Sequence, residues 1–246
     1  VNDALLDWYA ATCRDLPWRR TTDPYAILVS EVMLQQTQVT RVIGRYEAWL
    51  ERWPTAASLA AASVADVLSE WVGLGYNRRA LRLREACAVV AEHGWPEDLT
   101  QLPGVGAYTA AALGAFAFGR DTVALDTNVQ RLFGRLGRQL APRTGEGPAF
   151  NQATIELGAL VCRARAPRCS ECPFESCCEW EGDPVSDRPP AARFEDTNRW
   201  VRGRVIAALA AGQELPAVDP DRLGRALAGL VRDGLVQRDG DVVRLG

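Results

Sequence analysis

Two acidic residues stand in company that carboxylates rarely keep: Glu31 lies inside "AILVSEVML" and Asp126 inside "TVALDTNVQRL". Burial in a mostly apolar helix desolvates a glutamate, which raises its pKa and keeps a proton available near neutrality. One protonated and one ionised carboxylate suit cleavage of a glycosidic bond. The acid protonates the leaving group while the carboxylate steadies an oxocarbenium-like sugar. Each residue also has a plainer reading, Glu31 as part of a solvated helix face and Asp126 as the N-cap of the helix that begins "TNVQRL".

A second chemistry is written in sulfur. Five of the seven cysteines fall within residues 162 to 178, and four of them follow the pattern Cys162-x6-Cys169-x2-Cys172-x5-Cys178. Four thiolates on short loops can hold a tetrahedral zinc or a four-iron cluster, and the wide x6 and x5 loops favour the larger cubane. Disulfides are a poorer reading in the reducing, cytoplasmic setting expected here, and Cys177 reads as a spectator. Arg163, Arg165 and Arg168 are threaded through the same loop, where they merely solvate a surface or face phosphates. Third, "LPGVGAYTAAAL" places Gly104, Val105 and Gly106 in a turn before an Ala-rich helix. The amides there can receive a phosphate oxygen, as in a helix-hairpin-helix, although such a turn is often only a helix–helix connection.

These residues need a scaffold, and the spacing predicts a helical one. Helices are expected over 3–13, over 24–53 with a break near "QQTQVT", and over 55–74 as one or two elements. More are expected over 78–92, 107–118, 126–138 and 148–161. No strand pattern precedes residue 195. The segment 183–197 reads as a linker; after it, helices over 198–211 and 219–233 and a hairpin turning at Asp239-Gly240 suggest a small winged-helix-like module. The expected fold is all-α with that module appended.

Composition narrows the function further. The 246 residues carry a net charge of −3, so bulk charge does not make a polyanion binder, and any nucleic-acid contact must be local. All 28 basic residues are arginine. No lysine is present to form a Schiff base. No apolar run reaches membrane-span length, and the first twenty residues lack the order of a secretory signal.

"SEVMLQQTQV", "GLGYNRRALRL", "LPGVGAYTA", "ALDTNVQRL" and the cysteine pattern occur in the order found in helix-hairpin-helix DNA glycosylases, and the chain most resembles the MutY-type adenine DNA glycosylases. The resemblance covers residues 3 to about 180. It implies an iron-sulfur lobe over 1–22 and 127–182, a six-helix lobe over 23–126 and a [4Fe-4S] cluster on Cys162, Cys169, Cys172 and Cys178. It also implies a partner, double-stranded DNA with adenine opposite 8-oxoguanine or guanine, bound by a monomer. Glu31 matches the family's acid, Asp126 the aspartate that stabilises the sugar cation, and Asn128 its companion. "RDLPWRR" matches a base-pocket strip, with Arg14, Leu16, Trp18 and Arg19 around the extruded adenine and Glu156 reading its edge. Tyr76 matches the wedge beside the opposite base, and Gln36 the residue that fills the vacated stack. Tyr108 stands where lyase-active relatives carry lysine, which implies a monofunctional enzyme.

Two departures bear on specificity. The residues after the linker are too few for the Nudix-like domain most such proteins carry, and Asn77 replaces a frequent second tyrosine; both suggest a weaker preference for 8-oxoguanine over guanine. A thymine or uracil mismatch glycosylase and a catalytically silent DNA-binding or redox-sensing module are the competing readings.

Overall fold

The structure, a computed structural model, describes residues 1–182, 193–240 and 242–246. Most of the linker expected over 183–197 lies outside the described residues. In chain order the helices are α1 (Asn2–Thr12), α2 (Pro24–Leu34), α3 (Val39–Arg52), α4 (Ala56–Ala61), α5 (Val64–Trp71), α6 (Arg78–His93), α7 (Ala107–Phe118), α8 (Thr127–Arg135), α9 (Gly147–Leu160), α10 (Asn198–Ala210) and α11 (Pro220–Arg232). Strands β1 (Val236–Asp239) and β2 (Val242–Leu245) pair antiparallel near the C-terminus. Pairing runs to Asp239↔Val242, so Asp239 belongs to the ladder and the turn begins at Gly240, one residue later than the sequence suggests. Among the described residues no helix is long and apolar enough to cross a membrane.

Local sequence explains the breaks. The long stretch over 24–53 divides where Gln36 adopts a left-handed φ of 54°, a conformation no helix interior tolerates. The 55–74 stretch becomes two short helices because it contains two caps: the Thr55 hydroxyl accepts from Ser58 N in a capping box, and the Ser63 hydroxyl accepts from Asp66 N. The helix expected from residue 126 starts one residue later, because Asp126 caps it.

The chain divides into two compact units. The first gathers Val1–Glu31, Glu97–Gln101 and the described residues of Val105–Asp187. Its core is an apolar cluster in which Leu5 of α1 meets Val129, Leu132 and Phe133 of α8 and Phe150 and Leu157 of α9. Gly158 is needed there: a Cβ on it would lie 2.9 Å from the Asn128 carbonyl oxygen, so only glycine lets α8 and α9 approach this closely.

The second unit gathers Val32–Pro96, Leu102–Gly104 and the described residues of Arg188–Gly246. Val201, Val205 and Ile206 of α10 and Leu227 and Leu230 of α11 share one apolar cluster with Leu68 of α5. These boundaries differ from the expected ones. Among the described residues the apolar faces of α10 and α11 join a cluster that includes Leu68 of α5, and α7 falls in the unit of α9 rather than in that of α3 to α6. The physical reason for the second is the segment between them: Thr122 Oγ1 donates to the Ala111 carbonyl of α7, and Asn151 of α9 holds the Thr122 and Ala124 backbone.

Candidate active site

Every residue of α2 from Tyr25 to Met33 is buried, and Glu31 is one of them. Burial pushes its carboxyl up to about 7; a hydrogen bond from the Tyr108 hydroxyl pulls the other way, and the negative charge of Asp126 pushes it up further. Tyr108 lies in the first turn of α7. Its phenol is raised well above its ordinary value by burial, then by the charges of Glu31 and Asp126. Glu31, Tyr108 and Asp126 are therefore electrostatic neighbours, about ninety-five residues apart in sequence at the extremes. A buried acid poised at neutrality next to a carboxylate is an arrangement able to deliver a proton.

Asp126 fulfils both readings of the sequence at once. It is the N-cap of α8: Oδ1 accepts from Asn128 N at 2.9 Å and Val129 N at 2.7 Å, while Oδ2 accepts from Asn128 Nδ2 at 2.7 Å. The helix N-terminus thus fixes a negative charge in one orientation. Asn128 is itself held, since its Oδ1 accepts from Arg131 Nη2 at 2.9 Å, and Arg131 also donates to the carbonyls of Gly158 and Cys162.

The "RDLPWRR" strip forms the turn after α1, with Pro17–Arg19 in a single 3-10 turn. Leu16 is buried and Trp18 half-buried. Glu156, with no exposed surface, accepts four hydrogen bonds: from Arg14 N and Nε on Oε1, and from Arg14 Nη2 and Arg19 Nη2 on Oε2. Burial would raise its pKa, but the Arg14 and Arg19 bonds outweigh it and hold the carboxyl down at about 2. Both oxygens are thus committed to arginines, so reading a base edge would require replacing one of those donors.

In the other unit, Gln36 follows α2 and Tyr76 precedes α6, and both take left-handed φ values, 54° and 49°. One side chain ties their two loops together. Arg79 donates to the carbonyls of Val32 and Gln35 on one side and of Leu74 and Gly75 on the other, with Tyr76's ring 5.4 Å from its guanidinium carbon. Gly104 has φ +78°, and a Cβ there would meet Arg82 Cβ at 2.7 Å, so the turn after Pro103 requires glycine. Gly106, in the first unit, is the N-cap of α7 and has no side chain to bond its amides, and Val105 beside it is buried.

Cys162, Cys169, Cys172 and Cys178 line one cavity of about 180 Å³ with Arg135 and Trp180, while Cys177 does not line it and receives Arg138 instead. Burial chiefly, with Cys162, Cys178 and Cys169 adding, raises the Cys172 thiol to about 11. Among the described residues no three His, Cys, Asp or Glu are gathered tightly enough for a single metal ion. Arg163 donates to the Ala166 carbonyl, Arg168 pairs with Glu171 at 3.5 Å, and Arg165 is exposed.

Known proteins match this pattern. The HhH-GPD superfamily of base excision DNA repair proteins matches residues 29–146. The adenine DNA glycosylase of Mycobacterium tuberculosis is 42% identical over 96% of this chain and 90% of its own. The chain belongs to the adenine DNA glycosylases. The human adenine DNA glycosylase is 44% identical over 71% of this chain, which spans 38% of that longer protein. In three dimensions a thermostable thymine-DNA glycosylase covers 72% of this chain with a TM-score of 0.67 and 26% identity. A trapped endonuclease III–DNA intermediate, at 0.62 and 23%, shares the fold.

Of the residues singled out from sequence, this adenine DNA glycosylase relative brings Glu31, Tyr108, Asp126 and Asn128 together in one unit, along with Arg14, Leu16, Trp18, Arg19, Glu156 and the four cysteines. Gln36 and Tyr76 lie in the other unit. Sequence reasoning missed Asn151, Arg79, Arg131 and Arg135. Asn151 is buried and holds the Thr122 and Ala124 backbone on the approach to Asp126; a lone asparagine in "GPAFNQATIELGAL" was its only signal. Arg135 is buried at the cysteine cavity, with Nη1 3.6 Å from Cys162 Sγ and its guanidinium 4.4 Å from the Trp180 ring.

Proposed function

We infer that this protein hydrolyses the N-glycosidic bond of adenine in mispaired double-stranded DNA, as a monofunctional glycosylase of base excision repair. The observation that carries the reading is the buried Glu31 carboxyl, poised at about 7 beside Tyr108 and Asp126. Glu31 protonates the departing adenine. Asp126, fixed by two amides and Asn128, faces the positive charge that develops on the sugar. Because a carboxylic acid cannot reach a stacked base, the adenine must leave the duplex. Arg14, Leu16, Trp18 and Arg19 receive it, with Glu156 holding the two arginines in register, while Gln36 occupies the space it vacates and Tyr76 wedges beside the opposite base. Arg79 positions both of those loops. Gly104, Val105 and Gly106 hold the DNA backbone through amides, which needs no net positive charge.

The four cysteines on one cavity fit a [4Fe-4S] cluster, which when bound would cross-link the loop and supply no step of the hydrolysis. The helices and hairpin after residue 197 make a winged-helix-like module. The partner base is 8-oxoguanine or guanine. Tyr108 in place of an amine leaves an intact abasic strand.

Duplexes with A opposite 8-oxoguanine, A opposite G and T opposite G, incubated and then split into alkali-treated and untreated halves, test the reading. Strand breaks at adenine only after alkali support it. Cleavage at thymine alone would replace adenine with a pyrimidine substrate, no cleavage would leave a silent binder, and breaks without alkali would contradict the monofunctional assignment. Iron and labile sulfide assays on the purified chain test the cluster; zinc in their place rejects it.

A further inference from the structure

The exposed tip of the Tyr76 loop is not alone. Tyr76 is 38% exposed, and Phe194, just before α10, is 49% exposed. Between them stands Arg199, itself exposed, its guanidinium 4.7 Å from the Tyr76 ring centre and 5.0 Å from that of Phe194, with Nη1 donating to the Tyr76 hydroxyl. The helix that carries Arg199 is anchored on both sides. Thr197 caps it through Trp200 N, Val201 and Val205 are buried in the cluster with Leu68, and Arg202 pairs with Asp233 at 2.5 Å. A cation between two exposed aromatic faces on a well-anchored helix has the chemistry of a nucleobase contact rather than of a core.

We propose that Arg199 is the residue through which the C-terminal helices read the base opposite the excised adenine, and that its guanidinium favours guanine over 8-oxoguanine. The proposal rests on the reading of Tyr76 as the wedge beside that base. Guanine presents O6 and N7 as two adjacent acceptors, which match the fork of an arginine. In 8-oxoguanine N7 carries a hydrogen, so the fork meets a donor where it needs an acceptor. A residue at this position therefore shifts the enzyme toward A opposite G.

The experiment compares single-turnover excision from A opposite G and A opposite 8-oxoguanine for the full chain, Arg199→Ala, Arg199→Lys and Tyr76→Ala, with a thermal melt of each. Arg199→Ala is expected to lower the rate ratio of A opposite G to A opposite 8-oxoguanine by about tenfold, the lower end of what one arginine–guanine fork discriminates. Lysine should restore it only in part, because an ammonium can donate to O6 and N7 but lacks the planar fork. Equal losses on both duplexes would mark a phosphate contact and overturn the proposal. So would an unchanged ratio, a ratio shifted the other way, or full rescue by lysine. If Tyr76→Ala excises from both duplexes at the parent rate, the wedge reading fails by itself, whatever the Arg199 ratio shows.

Discussion

Glu31 and Glu156 are both buried glutamates on helices of the same unit, yet one carboxyl is poised at about 7 and the other at about 2. Burial pushes both upward, so burial cannot be what separates them. The donors do. Glu31 receives one neutral phenol and faces a second carboxylate, whereas Glu156 receives four N–H bonds, three of them from two guanidinium groups. A fold can thus make a proton source and a fixed anion from the same residue type by what it places opposite each.

The largest expected effect comes from removing the acid. Glu31→Gln keeps the shape and the Tyr108 contact but cannot transfer a proton, so single-turnover excision should fall by about 10² to 10⁴-fold, the range for a lost general acid, while duplex affinity survives. A gel-shift titration alongside the rate measurement checks this. Comparable loss of affinity and rate would mean that the site had collapsed instead.

Glu156→Gln breaks the comparison from the other side. It leaves two guanidinium groups facing a neutral amide, and loss of one partner of a buried pair costs about 3 to 5 kcal/mol. Arg14 is already 35% exposed and can turn to water, which puts the expected loss near the lower bound, about 3 kcal/mol in a denaturant titration. A melt unchanged from the parent would show that the arginines are not held by this carboxylate.

Stability should also report the difference through pH. An unfolded Glu31 ionises near its ordinary 4.5 and the folded one only near 7, so the native chain holds more protons across that window and its stability falls as pH rises through it. Between pH 5 and 8 the Glu31 contribution amounts to about 2 kcal/mol. Glu31→Gln should remove that slope and leave the protein more stable than the parent at pH 8. For Glu156 the window lies lower: its contribution is present above the ordinary carboxylate pKa and is lost as pH falls toward 2.

How much of this was legible beforehand depends on the kind of signal. Apolar spacing marks helices because burial has a period, so nearly every helix was placed. Glu31 stood out since a charge interrupts such a run. Asn151, Arg79 and Arg131 were invisible for the opposite reason: each works by donating to backbone carbonyls, and a carbonyl belongs to every residue type. The roles of Arg14 and Glu156 were separable only once both were seen on one carboxylate. The C-terminal helices looked self-contained because an apolar face on α10 does not say which neighbour covers it; Leu68, 133 residues earlier, does.

Asp126 supplies a third carboxylate environment and the smallest expected effect. Neither deep burial nor an arginine holds it; backbone amides do, and Asn128 adds one side-chain donor on the oxygen the amides leave open. Asn128→Ala removes that donor and the link through Arg131 to the Cys162 carbonyl but leaves both capping bonds. One hydrogen bond to a charged group is worth about 1.5 to 3 kcal/mol, and Asp126 is half-buried with water able to substitute in part, so a loss of roughly tenfold in single-turnover excision is expected. Restoration by Asn128→Gln would require a longer side chain to find the same oxygen, and it should fail. If Asn128→Ala instead cost as much as Glu31→Gln, the orientation of the carboxylate, rather than its charge, would be what the helix N-terminus is built to supply.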